Sequence, residues 1–177
     1  MRFLRHLALV VAVLALLAPA AHVLEMVNKL ALDGPIWLAV QQQLYRSWGP
    51  LIGAPTEIAG LMLNAALAVS RVEPRRARWL SAGAYLAMII VFFVCNAPVN
   101  AATNGWTAAT LPADWQAYRW RWEIGHALSA LLAVAALVAN FRALRGRQGE
   151  ADSAHARPLR DDVPSSDRLR SGGRRGP

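Results

Sequence analysis

Residues 80–97 read LSAGAYLAMIIVFFVCNA, eighteen positions without one charge. A helix crossing a ~30 Å hydrocarbon core needs about 20 mostly apolar residues, whereas a helix on a soluble core shows a polar face within that length. This stretch shows no such face, so its surroundings are lipid. Three further runs of the same kind lie around it. Residues 7–27 are interrupted only by His22 and Glu25, residues 51–69 carry Glu57 and Asn64, and residues 122–141 carry Glu123, His126, Ser129 and Asn140. In hydrocarbon every backbone N–H and C=O must be satisfied inside the segment, so four such runs predict an all-α fold: a four-helix transmembrane bundle with helices at about 4–27, 51–69, 80–97 and 122–141.

Composition agrees. The chain has 177 residues, 55% hydrophobic and only 17% charged, yet carries a net charge of +8. A greasy and basic chain points to membrane or nucleic acid, and the placement of the charges decides between them. Nine of the 19 cations stand at or after Arg142, and the apolar runs carry no basic face with interleaved aromatics, which excludes a nucleic-acid module. Residues 1–144 therefore form the membrane domain. Residues 145–177 mix Arg, Asp, Ser, Gly and Pro with few large apolar side chains, and are expected to be a disordered basic tail. Cys95 is the only cysteine, so no intrachain disulfide forms, and it reads as a small buried hydrophobe.

Cations flank cytoplasmic ends of spans. Arg2 and Arg5, then Arg71, Arg75, Arg76 and Arg78, then the nine of the tail make 15 on one side, against Lys29, Arg46, Arg119 and Arg121 on the other. This asymmetry predicts a bacterial-type inner membrane protein with both termini cytoplasmic. Arg2 and Arg5 ahead of an apolar stretch and Ala18-Pro19-Ala20 also fit a cleavable signal, although the apolar run continues past that point. Six of the seven tryptophans (Trp37, Trp48, Trp106, Trp115, Trp120, Trp122) fall in or beside the two outer connections, where interfacial aromatics belong. Asp33-Gly34-Pro35 is a helix-start signal, and Trp37, Val40, Gln41, Leu44 and Trp48 follow at helical spacing. A short interfacial helix over residues 35–47 is expected in the first outer loop.

Ionisable groups in a bilayer are costly and usually face the bundle interior. His22, Glu25 and Lys29 share a helix face, as do Arg119, Glu123 and His126. Glu57 lies six residues past Leu51, roughly 9 Å beneath the outer surface at 1.5 Å per residue. Asn64 is seven residues further on, and Asn96 and Asn100 close the third helix. All four helices thus place polar groups in the outer half, and the inner half reads as nearly bare of them. An outward-facing polar pocket is expected, with His22, Glu57, Asn100, Arg119, Glu123 and His126 as its candidate residues. Several chemistries suit that set. His22-x-x-Glu25 and Glu123-x-x-His126 are mirror-image pairs of the kind that hold metals in carboxylate-bridged bundles, and one ion on His22, Glu57, Glu123 and His126 is the metal reading. Haem between His22 and His126 is another. A His–Glu acid–base pair with Arg119 as anion partner needs no metal, and mutual neutralisation that merely fixes helix register needs no ligand.

The residues Asn96-Ala-Pro98-Val-Asn100, Trp106, Asp114-Trp115, Arg119, Arg121-Trp122-Glu123 and His126 resemble those of small four-helix membrane proteins of the anthrone-oxygenase-like group, over about residues 1–145. The resemblance implies a four-helix bundle and cofactor-free oxygenation of an activated phenolic or anthrone-type ring. In that reading His126 or His22 is the base, and Asn100 and Arg119 stabilise the enolate. The expected partners are the lipid bilayer and a small lipophilic ligand, with an oligomer as an open alternative. A non-enzymatic accessory subunit holding a quinone, lipid or partner helix is the competing expectation. A carrier comes third, since one four-helix unit lacks the paired halves of many transporters.

Overall fold

The computed structural model describes residues 2–70 and 74–155. The helices are α1 (Arg2–Leu30), α2 (Gly34–Ala39), α3 (Ala54–Val69), α4 (Arg75–Val91), α5 (Ala97–Asn104) and α6 (Trp115–His155). Among the described residues four helical stretches are long and apolar enough to cross a membrane: residues 2–30, 34–69, 75–104 and 115–145. The chain is thus a multi-pass four-helix bundle. α1 packs against α3 and α6, and α4 against α3 and α6, so the spans close into a ring. Apolar side chains point outward all around it, Leu24, Val27, Met62 and Leu131 among them, as lipid-facing surfaces require.

The seam between α1 and α6 is built from small residues. Ala8, Ala12, Ala15 and Ala18 on α1 and Ala133, Ala136, Ala139 and Ala143 on α6 are all buried. In lipid there is no hydrophobic drive between helices, and small side chains let two backbones approach closely enough for dispersion to hold them. The helices run antiparallel, so the same seam brings His22 to His126 and Lys29 to Glu123 further along. Gly60 serves a similar close approach between α3 and α4. A Cβ there would collide with the ring of Tyr85.

Three turns are wound as π-helix: Val40–Leu44, Gly49–Gly53 and Phe92–Asn96. Two of them lead into α-helices with proline in the first turn, Pro55 of α3 and Pro98 of α5. Proline has no N–H and crowds the carbonyl four residues earlier, and a widened turn relieves both problems. The expected interfacial helix is present but differs in register. It runs as α2 with Asp33 capping the Ile36 N–H, then winds into the π turn at Val40. That extra residue per turn leaves Val40 and Gln41 on the inward side but replaces Leu44 there with Tyr45, which is buried while Leu44 is exposed. Nor does α2 merely lie on the surface: Trp37 and Leu38 are buried with Tyr45, Val99 and Trp122 in a cluster that plugs this end of the bundle. We call it the aromatic end and the opposite one the arginine end.

The spans are longer than the apolar runs alone suggest. α6 begins at Trp115 and continues to His155, past the expected tail boundary at residue 145. Arg71 and the tail from residue 156 onward lie outside the described residues.

The expectation of a nearly bare inner half is corrected. At the arginine end Arg78, counted from the sequence as part of a loop collar, has 0% exposure. Its Nη1 donates to Asn64 Oδ1 at 3.3 Å and to Asn140 Oδ1 at 2.5 Å, and Asn140 Nδ2 donates to Ser81 Oγ at 2.7 Å. Asn64 therefore belongs to this network and not to the pocket. A charge is tolerated here because neighbouring helices supply its acceptors.

Candidate functional site

At the aromatic end the bundle encloses a cavity of about 460 Å³. Its walls come from every spanning segment: Ala18, Pro19 and His22 of α1, Glu57 and Ile58 of α3, Ile89 of α4, Asn100 and Thr103 of α5, and Trp122, His126 and Ser129 of α6. All three π turns of the described residues contribute, through Gln41, through Gly49, Pro50 and Gly53, and through Phe92, Phe93 and Asn96. π turns cluster at functional sites because they re-aim side chains that a regular helix would direct elsewhere.

The two histidines form the polar wall. Their ring centroids are 4.1 Å apart, with the planes tilted by 43°. Aromatic side chains enclose them: Tyr45 lies edge-on to His22 at 4.5 Å, Trp122 at 4.7 Å from His22 and 4.1 Å from His126, and Trp48 at 5.2 Å from His22. His22 is 2% exposed, and its Nδ1 has no hydrogen-bond partner among the described residues. A buried polar atom left without a partner costs roughly 1–3 kcal/mol, a cost that a bound molecule would remove. Glu57 is the only carboxylate among the described residues that line the cavity.

Asn96 and Asn100 hold the indole that completes the wall. Asn96 Nδ2 donates to the Trp122 carbonyl at 3.0 Å, and Trp122 Nε1 donates to Asn100 Oδ1 at 3.0 Å. Gly125 allows this, since a Cβ there would strike the Asn96 amide. Asn100 spends its carbonyl oxygen on the indole, so its NH₂ is the chemistry it can offer a ligand.

The other candidates stand behind this wall. Lys29 Nζ and Glu123 Oε1 are 3.1 Å apart, with side chains only 4% and 0% exposed. The Lys29 ammonium lies 4.7 Å from the centre of the Trp122 ring, so that indole separates the ion pair from the histidines. Arg119 donates through Nη1 to the carbonyls of Lys29 at 3.3 Å and Leu32 at 3.0 Å, and its guanidinium covers Trp115. It thus caps the C-terminus of α1, where carbonyls lack intrahelical donors. Glu25 accepts a hydrogen bond from the Tyr45 hydroxyl. Of the six candidates His22, Glu57, Asn100 and His126 line the cavity, whereas Arg119 and Glu123 do not. The four-donor metal set is not assembled, since Glu123 is committed to Lys29, and among the described residues no three His, Cys, Asp or Glu side chains are placed to share an ion.

Sequence reasoning missed Tyr45, Trp48 and Trp122 as cavity residues. Six clustered tryptophans were a signal for the membrane interface but did not say which would turn inward. Comparison of the chain with protein-family models, with characterised proteins and with solved structures gives no match. The fold and the site define a class: a multi-pass membrane protein with an aromatic-walled cavity at one end.

Proposed function

We propose that this protein binds a small lipophilic compound in the cavity of its aromatic end and removes a proton from it, with His126 or His22 as the base. The observation that carries this reading is the pair of touching imidazoles, one with an unsatisfied buried nitrogen, on the wall of a cavity around which every described π turn gathers. Pockets of this size that are mostly apolar, with a few convergent polar groups, are the usual form of small-molecule sites. An imidazole within reach of an acidic C–H or O–H takes the proton as general base, the Asn100 NH₂ donates to the resulting enolate oxygen, and Glu57 balances the imidazolium across the cavity.

The resemblance to anthrone-oxygenase-like proteins supports a continuation of this step. The enolate of an anthrone-type ring passes electrons to dioxygen. The ring methylene becomes a carbonyl, one oxygen atom remains there, and the other leaves as water with the two hydrogens. No cofactor is required, because the protein supplies only the base, the enolate donor and a dry pocket. The charge asymmetry of the connections supports a bacterial-type inner membrane with the aromatic end outside. Labelling of Asn104→Cys in intact Cys95→Ala cells by an impermeant maleimide checks that orientation, and protection of the thiol until the cells are lysed would reverse it.

The test uses the purified protein in lipid vesicles with anthrone as probe. Quenching of tryptophan emission reports binding, and an oxygen electrode reports turnover. Wild type is expected to bind and to consume one dioxygen per anthrone, with the rate falling roughly 10²–10⁴-fold in His22→Ala/His126→Ala. Binding without oxygen consumption would make the protein an accessory or carrier subunit. No binding would remove the reading altogether.

A further inference from the structure

The cavity wall is uneven in a way that indicates how a ligand enters. α3 and α4 pack tightly where Gly60 meets Tyr85, but toward the aromatic end they part company. The π turn Gly49–Gly53 leans on α1 and continues into α3, while Phe92–Asn96 leans on α6 and continues into α5. Across the resulting gap the two sides make at most marginal contact. The side chains that flank the gap and also line the cavity are Ile58, Ile89, Phe92 and Phe93, with the half-buried Glu57 of α3 beside Ile58. Ile58 is 54% and Phe93 is 66% exposed, on the face that a spanning helix turns to lipid. The wall on the α1 and α6 side carries His22, His126 and Ser129, and Asn96 and Asn100 are bonded to Trp122 beside them. Apart from Glu57, the cavity side chains at the gap are apolar, and the hydrogen-bonding groups gather on the far side.

Water-facing entry would show another pattern. Arg46 and Asn104 stand at the rim toward the aromatic end, but α2 and its following turn are folded over that end, with Gln42 Nε2 tying them to the carbonyls of Thr103 at 2.7 Å and Trp106 at 2.9 Å. The cap is tied down at Gln42, although Arg46 and Asn104 at its edge also line a neighbouring surface cleft, whereas the two flanks of the lipid-side gap make at most marginal backbone contact.

We infer that the cleft between α3 and the π turn Phe92–Asn96 is a lateral portal through which a membrane-dissolved molecule enters, polar head first. The inference rests on the cavity being a ligand site and adds the route and the class of compound. The occupant is an aromatic amphiphile of phenol or quinone type: its ring oxygens face His22, His126 and the Asn100 NH₂, and its apolar substituent lies between Ile58 and Phe93 and runs out into the acyl chains. A cavity of this volume holds the head ring and the first part of the chain but not a whole lipid, so the tail must leave through an apolar exit.

The experiment places single cysteines at the two candidate entrances of the Cys95→Ala protein, Ile58→Cys at the portal and Asn104→Cys at the water-side rim. Reconstituted vesicles are treated with an N-alkyl maleimide dissolved in the bilayer or with an impermeant charged maleimide. Binding of an alkyl-substituted benzoquinone is then read by tryptophan quenching. The portal requires that Ile58→Cys reacts with the lipid-dissolved reagent and not with the charged one, and that its modification weakens quinone binding about tenfold or more. It also requires that modification of Asn104→Cys leaves binding within about twofold. If instead the charged reagent reaches Ile58→Cys, or blocking Asn104→Cys abolishes binding while blocking Ile58→Cys does not, entry is from water and the inference fails. Should the unmodified protein not bind the quinone or anthrone, the cavity reading itself falls. Should it bind with His126→Ala abolishing binding, while neither blockade matters, only the portal falls. Met62→Cys, on the lipid-facing surface of α3 but outside the cavity lining, is the second variant: it must react with the same lipid-dissolved reagent and keep binding within about twofold of the unmodified protein.

Discussion

The two ends of this bundle differ in what their buried polar groups face: other helices at one, a cavity at the other. At the arginine end Arg78 enters a fully enclosed site and is met by Asn64 and Asn140, which is in turn bonded to Ser81, and α3 and α4 close over the network with Gly60 against Tyr85. At the aromatic end the chain leaves a cavity, and two histidines face it with one buried nitrogen unpaired. The first arrangement fixes which helices touch and in what register. Both ends leave some buried capacity unspent, Arg78 Nε and Nη2 and the Tyr85 hydroxyl at the first and His22 Nδ1 at the second, but of these only His22 lines the cavity. The ion pair of Lys29 and Glu123 is instructive because it lies near the cavity yet belongs with the structural group: Trp122 stands between it and the histidines.

That division can be broken by measurement. The largest effect is expected at the ion pair. Glu123→Ala leaves the Lys29 ammonium buried without its partner, and should cost roughly 3–5 kcal/mol of stability by thermal or denaturant unfolding in detergent. The double variant Lys29→Met/Glu123→Leu, which removes both charges and restores volume, should return to within about 1 kcal/mol of wild type and keep ligand binding. A double variant that is stable but inactive would move Glu123 into the site.

A smaller effect is expected at the arginine end. Asn140→Leu removes the closest acceptor of the Arg78 guanidinium and should cost about 1.5–3 kcal/mol, the range for a hydrogen bond to a charged group. Ligand affinity at the other end should not change. A coupled loss of both would show that the two ends are not independent.

The smallest stability effect belongs to the cavity. His126→Ala should shift unfolding by no more than about 1 kcal/mol, because this ring makes aromatic contacts but no ion pair, while binding and turnover fall. Destabilisation as large as that of Glu123→Ala would make the histidine pair a packing device instead.

The four spans, the clustering of tryptophans and the polar islands on α1 and α6 were all legible in the sequence. Each depends only on local composition and on helical periodicity, which lipid enforces strictly by requiring every backbone group to be paired within its own segment. Four of the six candidate residues line the cavity for the same reason: a polar group in an apolar helix turns inward. What the sequence could not supply was the depth and partner of each group. Arg78 reads as one more cation of a loop until Asn64 and Asn140, from two other helices, are seen to converge on it. Arg119 reads as an anion site until the free carbonyls at the end of α1 are seen beneath it. The π turns are hinted at by Pro55 and Pro98, yet the turn at Val40 has no proline, and it alone brings Tyr45 inward.

The sequence by itself determined that the chain lives in a membrane, crosses it four times and carries chemistry-bearing side chains on its spanning segments, because hydrophobic length and charge are properties of the local chain. Tertiary structure decided which polar groups satisfy one another and which are left facing open space. That choice is made by contacts between helices distant in sequence, and no local pattern encodes it.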